Sequence, residues 1–301
     1  MEHSVAVIGE ALIDVVDARP HVGGSPLNVA VGLARLGLAT TLYSRIGADP
    51  YGDLIVEHLL RAGVTLGDGF VDSGRTSSAI ATLDTEGRAT YDFDLEWSIP
   101  QPDVGGARVI HTGSIGAIRE PGGSIARQTV RGAGPGVLRS FDPNVRPAVM
   151  GPAETVRERV RQCAADCHVV KLSDDDAEWL SAGAGPDAVL QSISDSGVRF
   201  VVMTRGADGC SAIVDGVRYH EPSRGVAVAD TIGAGDAFMS GLLYGLVRNG
   251  CDRLLVDGAA VPSAQVRRVL ATAAAVASVT VSRAGANPPT LRELEDVVEL
   301  D

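Results

Sequence analysis

Asp230-Thr231-Ile232-Gly233-Ala234-Gly235-Asp236-Ala237-Phe238 is the stretch on which the fold and the chemistry of this chain turn. The apolar run Gly225–Ala229 before it reads as a strand, and Ala237–Val247 after it reads as a buried helix. Two glycines therefore stand where a helix begins. A helix N-terminus offers unpaired backbone N–H groups and a partial positive charge, which suits an anion. Glycine lets a phosphate come close to those groups. Asp236 fits two roles here. It is either a favourable charge at a helix start, or the carboxylate that takes a proton from a hydroxyl attacking a phosphoryl group held by the glycine amides.

The stretch resembles the second signature of the ribokinase-like (PfkB) family of sugar and nucleoside kinases, D-T-x-G-A-G-D-x-F. The resemblance implies that Asp236 is the catalytic base and that Gly233, Ala234 and Gly235 form the anion hole. It also places Thr231 with the nucleotide and makes Asp230, which shapes the phosphate site, a candidate metal residue. A monovalent cation such as K+ beside this loop is a further implication.

Composition agrees with one large globular unit. The 301 residues are 45% hydrophobic and 21% charged, and only 4% aromatic, so Ala, Val, Leu and Ile must build the core. The net charge of −12, with no basic stripe, argues against a nucleic-acid partner. No apolar run has the length of a membrane span, and the first residues enter a strand directly, so no membrane partner and a cytoplasmic location are expected. Four cysteines give no disulfide framework. Cys163, Cys167 and His168 lie close in sequence, but without a second ligand pair they read as helix packing and not as metal ligands.

Taken in order, Ser4–Gly9 reads as a buried parallel strand. Asp14 follows near its C-terminal end, the edge at which open α/β sheets bind ligands. It can accept hydrogen bonds from sugar hydroxyls or serve as a turn residue. Gly23-Gly24-Ser25-Pro26-Leu27-Asn28 is a second glycine-rich helix start, with Ser25 as N-cap, Pro26 in the first turn and Gly37 at the stop. This stretch resembles the family's first signature, in which Gly23, Gly24 and Asn28 would contact the sugar. With Gly9-Glu10-Ala11-Leu12-Ile13-Asp14 it looks most like the fructokinases of the family.

Residues 76–95 break the strand–helix rhythm. Ser78–Leu83 and Ala89–Leu95 read as a hairpin across the turn Asp84–Arg88. By resemblance, about 14–23 and 76–98 form a small β-sheet lid over the sugar, through which a homodimer would form. The segment Tyr91–Trp97 carries acidic residues where fructokinase lids commonly have aromatics and an Arg.

Alternation then resumes with strands at Ala107–His111, Gly136–Phe141, Val169–Leu172 and Arg199–Met203. Asp142-Pro143-Asn144-Val145-Arg146-Pro147 resembles a stretch of fructokinases and 2-keto-3-deoxygluconate kinases, which makes Asn144 and Arg146 substrate candidates; Arg146 could equally be a surface ion-pair residue. Ser173 and Asp176 occupy the places of a family N-x-x-E near magnesium and phosphates. That implies Ser173 at the nucleotide and Asp176 as a metal residue, although the same residues suit a capped, acidic helix start. Thr204-Arg205-Gly206-Ala207-Asp208-Gly209 resembles the nucleotide turn, with Thr204, Gly206 and Gly209 at the nucleotide; it also reads as a hairpin turn into Cys210–Val214. Val266–Thr280 reads as a buried helix whose small side chains leave room for an adenine face.

The expected fold is α/β, a ribokinase-like three-layer α/β/α sandwich with a small β-sheet lid, as a single kinase domain over 1–301. The expected activity is transfer of the ATP γ-phosphoryl, with Mg2+, to a primary sugar hydroxyl, most like fructose to fructose 6-phosphate. Alternatives are a 2-keto-3-deoxygluconate kinase, a ribose or nucleoside kinase, and, in another class, a catalytically inactive sugar-binding regulator. No P-loop, protein-kinase set or dinucleotide fingerprint is present.

Overall fold

The computed structural model describes residues 4–83 and 89–297. A nine-stranded sheet runs in the spatial order Val217–Glu221, Cys210–Val214, Phe200–Thr204, Val169–Ser173, Leu138–Asp142, Val109–Gly113, Ser4–Ile8, Ala39–Tyr43 and Thr65–Leu66. Neighbours are parallel from Phe200–Thr204 to Thr65–Leu66; the first two strands join as an antiparallel edge.

Strand alternation sorts the core into two layers. Val5 and Val7 join one cluster with the helices Ser25–Arg35, Ala234–Arg248 and Ser263–Val281. Ala6 and Ile8 join the other with Gly122–Arg131, Ala153–Ala165 and Pro186–Asp195. Because both faces are covered, the strands carry near-continuous apolar runs, as parallel strands must. The result is the expected three-layer sandwich. Cys163 and Cys167 are buried in the second layer, and His168 Nδ1 accepts from the Arg139 N–H at 3.0 Å.

Ser4–Ile8 pairs with Ala39–Tyr43 on one side and with Val109–Gly113 on the other. Strand order reverses there, which opens a crevice at the C-terminal edge of the sheet. A second sheet hangs over that edge, ordered Arg19–Gly23, Leu12–Val16, Ser78–Leu83 and Ala89–Asp94. The expected hairpin pairs antiparallel from Ser78↔Asp94 to Leu83↔Ala89; its turn, Asp84–Arg88, lies outside the described residues.

One expected strand is absent. Gly225–Ala229 is irregular, with Val228 63% exposed. Its backbone partner is a helix end: the Ala229 N–H donates to the Val281 carbonyl at 2.8 Å. An apolar run becomes a strand only beside another strand, and the backbone of this one bonds to a helix end instead. The signature loop thus hangs from the C-terminus of the helix Ser263–Val281. Small side chains of that helix, Ala273 and Ala275 among them, pack in the core with Ala234–Arg248.

Candidate active site

The helix Ala234–Arg248 begins with Gly233 as its N-cap, at φ 74°. A side chain is strained at that angle, and a Cβ would also lie 2.6 Å from the Ala286 Cβ. Asp236 is therefore the third residue of the helix, on its first turn, and only 8% exposed. Asp230 closes the loop: its carboxylate accepts from the Ile232 N–H at 3.0 Å and the Gly285 N–H at 2.8 Å. These bonds hold its pKa below the usual value.

The second glycine-rich start faces the first. Gly24 is the N-cap of the helix Ser25–Arg35, so Ser25 is its first residue and not the expected cap. Its hydroxyl is free for another task and donates to Asp236 Oδ1 at 2.6 Å. Asn28 Nδ2 donates to Asp236 Oδ2 at 2.8 Å. Burial pushes the Asp236 pKa up; these two donors, then Lys171 and Arg146, pull it back.

These elements wall a cleft of about 1250 Å³. Asp14, Gly23, Gly24, Asn28, Asn144 and Arg146 line it, as do Asp230, Thr231 and Gly233–Asp236. The lid contributes one register row: His21 faces Asp14, Asp14 faces Ala79, and Ala79 faces Phe93. All four line the cleft, because alternate residues of adjacent strands share a face. Burial raises the Asp14 pKa, and His21 and Arg146 oppose that shift. Two of the acidic residues that set this lid apart are engaged in ion pairs: Asp94 pairs with Arg75 at 3.3 Å, and Glu96 with Arg45 at 2.5 Å.

Ser173, Asp176, Thr204, Gly206 and Gly209 do not line this cleft. Ser173 and Thr204 are register partners at the same C-terminal sheet edge. Gly206 and Gly209 flank a single 3-10 turn just beyond. Ser173 caps the helix Asp174–Ser181, its hydroxyl accepting from the Asp176 N–H at 3.0 Å. The Asp176 carboxylate returns the bond to the Ser173 N–H at 2.9 Å and reaches the Val145 N–H at 2.7 Å. Asp176 and Asp230 were expected at a metal. Both carboxylates accept from backbone N–H groups, and no group of three or more His, Cys, Asp or Glu is clustered for an ion among the described residues.

Sequence reasoning missed four buried polar residues, of which Glu10 lines the cleft and Lys171, Asp142 and His111 lie on the strands of the main sheet. Glu10, 5% exposed, accepts from the Gly116 N–H at 2.7 Å, and burial raises its pKa to about 7. Lys171 donates to Asp142 Oδ2 at 2.8 Å, both residues being buried. His111 is close enough to Lys171 to feel its charge, and burial lowers its pKa to about 3. A lone Lys within Val169-Val170-Lys171-Leu172 was the available signal, since buried parallel strands rarely carry an unpaired charge.

A buried carboxylate at a glycine-led helix start, met by a second glycine-led start beneath a β lid, matches a known arrangement. The pfkB family carbohydrate kinase model matches residues 2–293. The chain belongs to the pfkB family of carbohydrate kinases. It is a sugar kinase, an enzyme that transfers a phosphoryl group to a sugar hydroxyl. Fructokinase from Klebsiella pneumoniae is 32% identical over 295 residues, covering 91% of this chain and 94% of that one. Among solved structures, fructokinase from Xylella fastidiosa with bound ATP superposes with a TM-score of 0.86 at 25% identity, covering 99% of both chains. Fructokinase from Vibrio cholerae, in its fructose, ADP and calcium ion bound form, does so with a TM-score of 0.79 at 26% identity, covering 97% of this chain and 98% of that one. ATP bound in one such kinase and a metal ion in another fit a pfkB kinase that uses a metal with its nucleotide. No helix among the described residues is long and apolar enough to cross a membrane.

Proposed function

We propose that this kinase phosphorylates fructose at a primary hydroxyl, using Mg2+-ATP, with Asp236 as the base. The observation that carries the assignment is the Asp236 carboxylate, buried on the first helical turn and held on both oxygens by Ser25 and Asn28. The sugar would lie between Asn28, Asn144 and the Asp14–His21 row of the lid. Asp236 takes the hydroxyl proton as the sugar oxygen bonds to the γ-phosphorus. The bond from that phosphorus to the bridging oxygen breaks, and ADP leaves with the electron pair. The N–H groups of Gly233, Ala234 and Gly235 face the charge on the phosphoryl oxygens. The proton on Asp236 passes to water after product release. Mg2+, travelling with ATP, neutralises phosphate charge.

Nucleotide contacts at Ser173, Thr204, Gly206, Gly209 and Thr231 belong to the same reading. They are supported by the shared sheet edge of Ser173 and Thr204 and by Thr231 in the cleft wall. A K+ ion near the Asp230 loop, a cytoplasmic location and a homodimer through the lid rest on resemblance. Closure of the lid, formed by about 14–23 and 76–98 within one domain, would exclude water as a competing nucleophile.

Arg146 favours a second substrate. It lines the cleft exposed, and the one hydrogen bond described for its guanidinium goes to the neighbouring Val145 carbonyl. A cation so placed suits an acidic sugar such as 2-keto-3-deoxygluconate. ADP production with Mg2+-ATP over fructose, 2-keto-3-deoxygluconate, ribose, glucose and adenosine decides between them. Fructose turnover that vanishes in Asp236→Ala supports the proposal. Turnover confined to another panel member discards fructose, and full turnover in Asp236→Ala discards the base.

A further inference from the structure

Lys171 and Asp142 form an ion pair in the middle of the sheet, 3% and 0% exposed. Such a pair seldom stabilises a fold more than apolar residues of the same size would, because both charges are desolvated. The pair is also incompletely satisfied: Asp142 Oδ1 is buried without a hydrogen-bond partner. Stability alone gives no reason for it.

Its location does. A Cβ on Gly235 would lie 2.9 Å from the Lys171 Nζ. The ammonium thus stands against the Gly233–Gly235 turn, and Lys171 itself does not line the cleft. A side chain at residue 235 would have to displace this ammonium from its place beside Asp142.

The charged groups around Asp236 come from four elements. Lys171 on its strand and Arg146 on the loop after Asp142 favour the carboxylate. Glu10, beyond the first strand, and Asp142, on the neighbouring strand, oppose it. Lys171 is the buried member of the two cations, so solvent and salt screen it least.

We infer that Lys171 is a positioning residue for phosphoryl transfer: its ammonium, held by Asp142, places a fixed positive charge against the Gly233–Gly235 turn that keeps Asp236 ionised and strengthens the anion hole. This rests on Asp236 being the base. Lys171 touches neither sugar nor nucleotide in this role. It acts through the turn and through Asp236.

Lys171→Met removes the charge and keeps the length. Asp142 is then left with no cation, so Lys171→Met/Asp142→Asn serves as the companion that also removes the orphaned carboxylate. The full chain, labelled with 13C at the Asp carboxyls, is titrated by NMR without ligand, and Asp236→Asn assigns the Asp236 signal. The Asp236 midpoint should rise by about 1 pH unit or more in Lys171→Met, and by a smaller but measurable amount in the double variant, where loss of the Asp142 charge offsets part of the effect. With fructose and Mg2+-ATP, kcat should fall at least about 10-fold and the fructose KM change less than about 3-fold, as expected for a residue acting mainly in the transition state. A folded variant whose Asp236 signal titrates as in the wild type overturns the inference, even if its melting temperature falls. Fructose turnover that survives Asp236→Asn sinks the base assignment itself, and this inference with it.

Discussion

Ser25 Oγ donates to Asp236 Oδ1 at 2.6 Å across 211 residues of chain. Two helices that begin with glycine, one near each end of the sequence, thereby meet at a single carboxylate. Asn28 completes the contact on the other oxygen at 2.8 Å. Both donors favour the ionised form of a group that burial would otherwise keep protonated.

Removing either donor should raise the Asp236 pKa. A hydrogen bond to a charged group contributes about 1.5–3 kcal/mol, which corresponds to roughly 1–2 pH units. Ser25→Ala and Asn28→Ala should each move the acid limb of the kcat/KM profile upward by about that much. A limb that stays in place would show that the measured pKa belongs to another group.

Glu10 sets a pH dependence of stability. Its pKa is about 7 in the fold against an ordinary 4.5, with burial as the main cause. The folded state holds the proton more tightly, so stability falls as pH rises from about 4.5 to about 7 and is then level. The full effect is on the order of 3 kcal/mol. Glu10→Gln should stabilise the protein most above pH 7, with the gain gone below pH 4.5. Urea unfolding at pH 4.5, 6 and 8 measures it, and a pH-independent difference would refute it.

Asp14 faces His21 across the lid and lines the cleft. Asp14→Asn should raise the sugar KM by roughly 10- to 100-fold, the loss of a charge-assisted hydrogen bond, with the ATP KM little changed. Equal effects on both KM values would place Asp14 outside the sugar site.

Asp176 accepts from the Ser173 and Val145 N–H groups. Asp176→Asn keeps one acceptor oxygen and should cost about 1–2 kcal/mol in unfolding free energy. The Mg2+ concentration giving half-maximal rate should stay the same if this carboxylate is a cap. A large rise in that concentration would restore the metal role.

The local order of the fold was legible because its signals are local. Apolar runs bounded by glycine marked the buried strands, and the sequence 230–238 fixed a helix start with a carboxylate on its first turn. By itself the sequence also determined the family, since the two glycine-rich stretches are spelled out residue by residue. Gly225–Ala229 failed for a physical reason: whether an apolar run pairs depends on what folding brings beside it, and here that is the Val281 carbonyl at a helix end and not a strand.

The tertiary structure alone decided which polar groups meet. Ser25 reads as a cap until Asp236 arrives from the far end of the chain. Nothing in the sequence around Asp176 or Asp230 announces the Val145 and Gly285 N–H groups from which their carboxylates accept. Lys171 reads as a lone charge in an apolar strand until Asp142 lies beside it and the Gly235 turn against it. Hydrogen bonds and ion pairs act over about 3 Å. Partners brought that close by chain folding leave little trace in the sequence around either one.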